Sequence, residues 1–164
     1  MLLAHDLAHV VLIGIGATAL MDAWLFALAR LGVPSSSFAL IGRWVGHLPR
    51  GRFAHTAIAE AAPIPAELPL GWLTHYVIGI AYAGLLLGLV GLGWTQQPTL
   101  LPALAFGAAT VVAPLFVMQP AMGAGFAASK TAAPLKNCLR SAVNHAVFGT
   151  GLYVAAAFIE WIGR

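Results

Sequence analysis

Asp22, His75 and His145 each stand inside a long apolar stretch of this chain, with Asn144 and Gln119 as uncharged polar companions. Such placements are costly. An Asp at the centre of a spanning helix costs about 2.5 to 3.5 kcal/mol on the insertion scale. Ionisable groups inside a membrane therefore face a helix-bundle interior and mark function by default. One carboxylate and two imidazoles admit several chemistries. The Asp can pair with a protonated imidazole, charge attraction opposing the burial penalty. The imidazoles can carry or relay a proton, because His titrates near neutrality. Two imidazoles and a carboxylate also suffice as metal ligands, so Asp22, His75 and His145 are candidates, although no HExxH-type spacing supports them. His75 and His145 on helices running the same way are a permissible axial pair for haem b, but nothing else in the sequence speaks for haem. No cofactor and no catalytic residue is predicted. The plain alternative is that these groups only hydrogen-bond between helices, worth on average about 0.6 kcal/mol each.

The elements that must position them are spanning helices. The chain has 164 residues, of which only 8% are charged and 60% are hydrophobic. Ordinary soluble domains carry about 25% charged residues, so much of this surface must face something apolar. Four windows reach the roughly 20 apolar residues a spanning helix needs: 7–31, 70–92, 99–122 and 139–161. The expectation is an all-α integral membrane bundle of four transmembrane helices forming a single domain, 1–164. The lone Cys138 excludes an intrachain disulfide and any CxxC redox or zinc motif. No basic cluster is interleaved with aromatics, so nucleic acid is not an expected partner.

The basic residues set a direction. Arg30, Arg43, Arg50 and Arg52 fall at the first connection, Lys130, Lys136 and Arg140 at the third, and only Arg164 lies elsewhere. By the positive-inside rule, connections 32–69 and 123–138 are cytoplasmic and both termini are on the outer side. In the first connection, Pro34 to Ser37 reads as a break followed by a helix cap. Phe38, Ile41, Trp44, Val45 and Leu48 then share one helical face, which suits a short interfacial helix or a loop helix packed on the bundle. His47, His55 and Glu60 read as surface residues.

Depth, at about 1.5 Å per residue, puts Asp22, His75 and His145 in the cytoplasmic half, with Gln119 shallower. Three stripes at four-residue spacing carry them: Gly14, Thr18 and Asp22; Gly71, His75 and Gly79; Ser141, His145 and Gly149. Small residues allow close helix approach, so the stripes are expected to turn the polar groups inward. Pro114 cannot donate to the Thr110 carbonyl and should kink the third span.

The runs GIGATALMDAW from Gly14 to Trp24, QPAMGAG from Gln119 to Gly125, and NHAVFGTGLY from Asn144 to Tyr153 resemble a family of bacterial membrane proteins grouped as domain of unknown function number 2938. The resemblance covers nearly the whole chain. It implies a four-span protein of the bacterial inner membrane, and it implies no activity and no functional residues. Three functions stay open. The first is a small proton- or cation-coupled transporter, acting as a homodimer, with Asp22 as the coupling group. The second is a metal- or haem-binding redox protein using His75 and His145. The third is an accessory subunit whose long connection docks a membrane partner protein. The lipid bilayer is the partner common to all three.

Overall fold

The computed structural model describes residues 4–33 and 37–164. It is all-helical, and the described residues contain no strand. In chain order the α-helices are α1 (Ala4–Arg30), α2 (Phe38–His47), α3 (Glu67–Val90), α4 (Leu100–Ala109), α5 (Gln119–Ala121) and α6 (Pro134–Ile162). Four helical stretches are long and apolar enough to cross a membrane: His5–Arg30, Glu67–Val90, Leu100–Ala121 and Pro134–Ile162. Each overlaps an expected span. The second and fourth begin earlier than hydropathy alone suggests, at Glu67 and Pro134. A proline in a first helical turn gives up no internal hydrogen bond, so neither Pro69 nor Pro134 stops the helix, and Lys136 and Arg140 are helical too. The third span is interrupted. After α4 the backbone turns at Thr110 and Val111, then runs as a π-helical turn, Pro114–Met118, into α5. The missing Pro114 N–H accounts for the break in regular pairing.

The chain divides into two compact units. The first comprises residues up to Val33, then Tyr76–Thr110 and Val143–Arg164. Its helices touch at small residues. A Cβ on Gly14 of α1 would lie 2.5 Å from the Ile80 Cα of α3, and one on Gly79 would collide with the Thr18 hydroxyl. A Cβ on Gly16 would sit 2.8 Å from the Ala155 Cβ, and one on Gly151 of α6 2.9 Å from the Ala17 backbone. Gly107 of α4 and Gly149 of α6 meet backbone to backbone. Read along the helices, these contacts run in opposite directions, so α1 is antiparallel to α3 and α6, and α4 to α6. Ile13, Ala17, Ala83, Leu86, Leu87, Ala103, Phe148 and Leu152 fill the core between them. The outer faces are apolar as well: Leu89 is 69% exposed and Leu101 76%. That inversion of the soluble pattern is what a lipid-facing surface requires.

The second unit comprises residues 37–75 of the described chain and Val111–Ala142. Ser37 occupies the N-cap position of α2 but makes no side-chain cap bond; the rest of the expected break, 34–36, lies outside the described residues. α2 packs on the first turns of α3, where Gly42 faces the Glu67 carbonyl and Gly71 faces the Phe38 carbonyl with no room for a Cβ. Segment 55–58 runs alongside 121–123, the His55 N–H donating to the Ala121 carbonyl at 2.8 Å and the Ile58 N–H to Met122 at 3.1 Å. Gly123 turns there at φ +96°, pressed against the Thr56 carbonyl.

The glycine contacts predict a contrast. Gly149→Val places a side chain 2.7 Å from the Ala103 carbonyl, and overpacking of this kind costs about 1–3 kcal/mol. Gly88→Ala meets nothing within 4 Å and should gain up to about 1 kcal/mol of helix propensity. Thermal unfolding in detergent is expected to show a lower midpoint for the first variant and an unchanged or higher one for the second.

Candidate functional site

In the first unit the polar side chains pair across helices. Tyr76 of α3 donates its phenol hydrogen to Asp22 Oδ2 of α1 at 2.9 Å. Two residues further along α1, Trp24 Nε1–H donates to Asn144 Oδ1 of α6 at 3.0 Å. The neighbouring His145 meets Thr110, at the end of α4, with its Nδ1 2.7 Å from Thr110 Oγ1. Thr110 Oγ1 also lies 2.6 Å from the Gly107 carbonyl, to which it donates. A hydroxyl has one hydrogen, so both contacts are satisfied when His145 Nδ1–H donates to Thr110. The three bonds link α3 to α1, α1 to α6, and α6 to α4. Thr18, 1% exposed, turns its hydroxyl back to the Gly14 carbonyl at 2.7 Å, which satisfies it inside its own helix.

His75 and Gln119 belong to the second unit. The His75 ring lies 4.8 Å from the Phe38 ring of α2 and 6.1 Å from that of Trp72, and Phe38 stacks on Trp72 at 4.1 Å. Gln119 opens α5 with its Oε1 buried and without a partner. Asp22, Asn144 and His145 belong to the first unit. Among the described residues no group of three His, Cys, Asp or Glu side chains is placed to hold a metal ion. Pro114 starts the π-helical turn, and Gly14, Gly79 and Gly149 are the points of close helix approach described above.

The first connection holds two arrangements that the sequence did not suggest. Arg43 of α2 forks onto Glu67, with Nε 2.7 Å from Oε1 and Nη2 3.0 Å from Oε2. Its Nη1 reaches the Ala59 and Ala61 carbonyls at 2.9 and 3.1 Å. Glu67 Oε1 also accepts the Ile64 N–H at 2.7 Å. The hydrogen bond to Glu67 raises the Arg43 pKa, against a lowering by burial, so the guanidinium stays charged. One guanidinium thus ties α2, the 59–61 backbone and the start of α3 together, a task that suits its planar fork. His47, expected at the surface, is 1% exposed and bonded to His55 and to the Ala62 carbonyl. Glu60 is exposed, as its reading requires.

Sequence reasoning nominated Asp22, Asn144 and His145 but missed their partners. Tyr76, Trp24 and Thr110 pass as apolar or neutral in any hydropathy window. The available signal was spacing: Tyr76 follows the nominated His75, and Trp24 lies two residues after Asp22.

Two outcomes follow from these bonds. Trp24→Phe and Asn144→Leu, alone and together, should reveal a coupling of about 0.6 kcal/mol and no more than about 1.7 kcal/mol, read from unfolding midpoints in a double-mutant cycle. Arg43→Lys keeps the charge but loses the fork; amide hydrogen exchange at 59–64 should quicken about tenfold or more, with the core of α6 unchanged.

Comparison with curated proteins and with solved structures found no match. A family model does match, over residues 11–159, and these include α2, α3, α4, α5, most of α1, nearly all of α6, and every polar pairing described above. The chain belongs to the family described as Protein of unknown function (DUF2938).

Proposed function

We propose that this chain is a small multi-pass protein of the bacterial inner membrane that moves protons or a monovalent cation, with Asp22 as the coupling group and Tyr76 positioning it. The observation that carries the reading is the Tyr76–Asp22 hydrogen bond of 2.9 Å between two apolar, span-length helices. Asp22 is the one acidic residue in the interior of a span; Asp6, Glu67 and Glu160 lie near span ends and Glu60 in a connection. A carboxylate held there can take up and release a proton, or balance a cation, without leaving the bundle. The phenol fixes one carboxylate oxygen, Oδ2.

Seven of the eight basic residues cluster at the first and third connections, which supports a cytoplasmic side there and termini in the periplasm. Four spans make a thin pathway, and a homodimer would widen it.

Proton flux into proteoliposomes, driven by an imposed potential and read with an internal pH dye, tests the reading. Asp22→Asn should lower flux about a hundredfold, and Tyr76→Phe by a smaller factor with folding intact. Unchanged flux in Asp22→Asn would sink the proposal.

A further inference from the structure

The charges divide unevenly between the two units. The first carries Arg30 and Arg164 against Asp6, Asp22 and Glu160. The second carries Arg43, Arg50, Arg52, Lys130, Lys136 and Arg140 against Glu60 and Glu67. Within the second unit Arg43 and Glu67 neutralise each other through their fork. The other five basic residues are left with a single carboxylate, the exposed Glu60. Arg50, Arg52, Lys130 and Lys136 are exposed as well, and Arg140 is half-buried. Large apolar side chains stand out beside them: Phe53 next to Arg52, Phe126 shortly before Lys130 and Leu135 next to Lys136, exposed by 67%, 64% and 73%. Hydrogen bonds gather the segments that bear these pairs. The His55 N–H donates to the Ala121 carbonyl at 2.8 Å, and the Lys130 N–H to the Ala124 carbonyl at 2.9 Å. The Cys138 thiol donates to the Ala127 carbonyl at 3.1 Å, and Asn137 Nδ2 to Thr131 Oγ1 at 2.9 Å. The connection at His55, the turns from 121 to 131 and the first turns of α6 are thus bound together.

We propose that this part of the second unit is a docking surface for the headgroups of anionic phospholipids in the bilayer that holds the spans. The helical stretches Glu67–Val90 and Pro134–Ile162 begin in this unit and Leu100–Ala121 ends in it, so its surface lies at headgroup depth. Lipid phosphates there meet guanidinium and ammonium groups that outnumber the remaining carboxylate. Phe53, Phe126 and Leu135 enter the acyl boundary beside those contacts, as apolar side chains of interfacial segments do. Water would solvate the charges equally well but would leave the apolar neighbours exposed. A soluble acidic protein would match the charges, yet it would have to reach them at the depth of the headgroups. The bias of charge orients a chain during insertion; the proposal concerns binding by the folded protein. It uses the placement of the spans in a bilayer and does not rest on proton movement.

The test places the full chain in phosphatidylcholine bilayers and adds spin-labelled phosphatidylglycerol or spin-labelled phosphatidylcholine. Electron paramagnetic resonance then separates lipid held at the protein from lipid in the bulk. Phosphatidylglycerol should associate about fivefold more strongly, the worth of one basic contact near a membrane surface. In about 1 M salt, where charges are screened beyond about 3 Å, the two lipids should associate equally. Arg52→Gln, Lys130→Gln and Lys136→Gln together should remove the preference, while Arg164→Gln, beyond the far end of α6, should keep it. The salt series needs no variant, so the test stays decisive if the triple variant fails to fold. Equal association of the two lipids with the unaltered chain at low salt would overturn the docking surface. So would a preference that survives high salt, one that survives in the folded triple variant, or one lost in Arg164→Gln.

Discussion

The first unit depends on how closely its helix backbones approach. In a lipid-like medium, helices gain little by hiding apolar side chains from one another, so packing and interhelical hydrogen bonds carry the association. Both need short distances. Gly14 and Gly79 allow α1 and α3 to touch at the backbone, and Gly107 with Gly149 does the same for α4 and α6. Along α1, contacts run from Gly14 against Ile80, through Thr18 against Gly79, to Asp22 against Tyr76. The polar bond comes last in a register that the small residues set. A side chain at Gly14 or Gly79 would push the helices apart, and a 2.9 Å bond further along could not close. Glycine therefore precedes Asp22 in the order of causes.

The second unit solves a different problem. Its connection is mostly irregular backbone, which must find hydrogen-bond partners wherever it is shielded from water. Arg43 supplies several at once, collecting carbonyls from 59–61 while its charge is met by Glu67. The His47 ring supplies another to Ala62, and the 121–122 carbonyls receive the His55 and Ile58 amides. These contacts join residues 8 to 24 apart along one connection and others across the chain. The helical spans carry their backbone bonds internally, so they need side-chain polarity only at crossings.

That difference explains what could be read in advance. Spans follow from apolar length alone, and their start points move only where a proline fits a first turn, as at Pro69 and Pro134. Asp22, Asn144 and His145 stood out because polarity inside an apolar run is conspicuous. Their partners did not, since Tyr76 and Trp24 bury a large ring and expose polarity only at one atom. His47 was misread because a histidine in a polar connection looks solvated. Its burial follows from the folding of the whole connection over it, including the Arg43 fork, and no local periodicity encodes that.

The three interhelical bonds of the first unit are not chemically equivalent, and the difference favours function at one of them. Trp24–Asn144 and Thr110–His145 use groups that are satisfied as neutral donors and acceptors. At position 22 an Asn would also accept the Tyr76 hydrogen, though more weakly than a carboxylate, and inside the span it would cost less to insert. If holding α1 to α3 were the whole task, the uncharged amide would be the cheaper solution. A carboxylate adds what an amide lacks, namely exchange of a proton and a charge that attracts a cation. The residue type at position 22, together with its hydrogen bond, is thus what supports the proposal that this crossing does chemistry as well as packing.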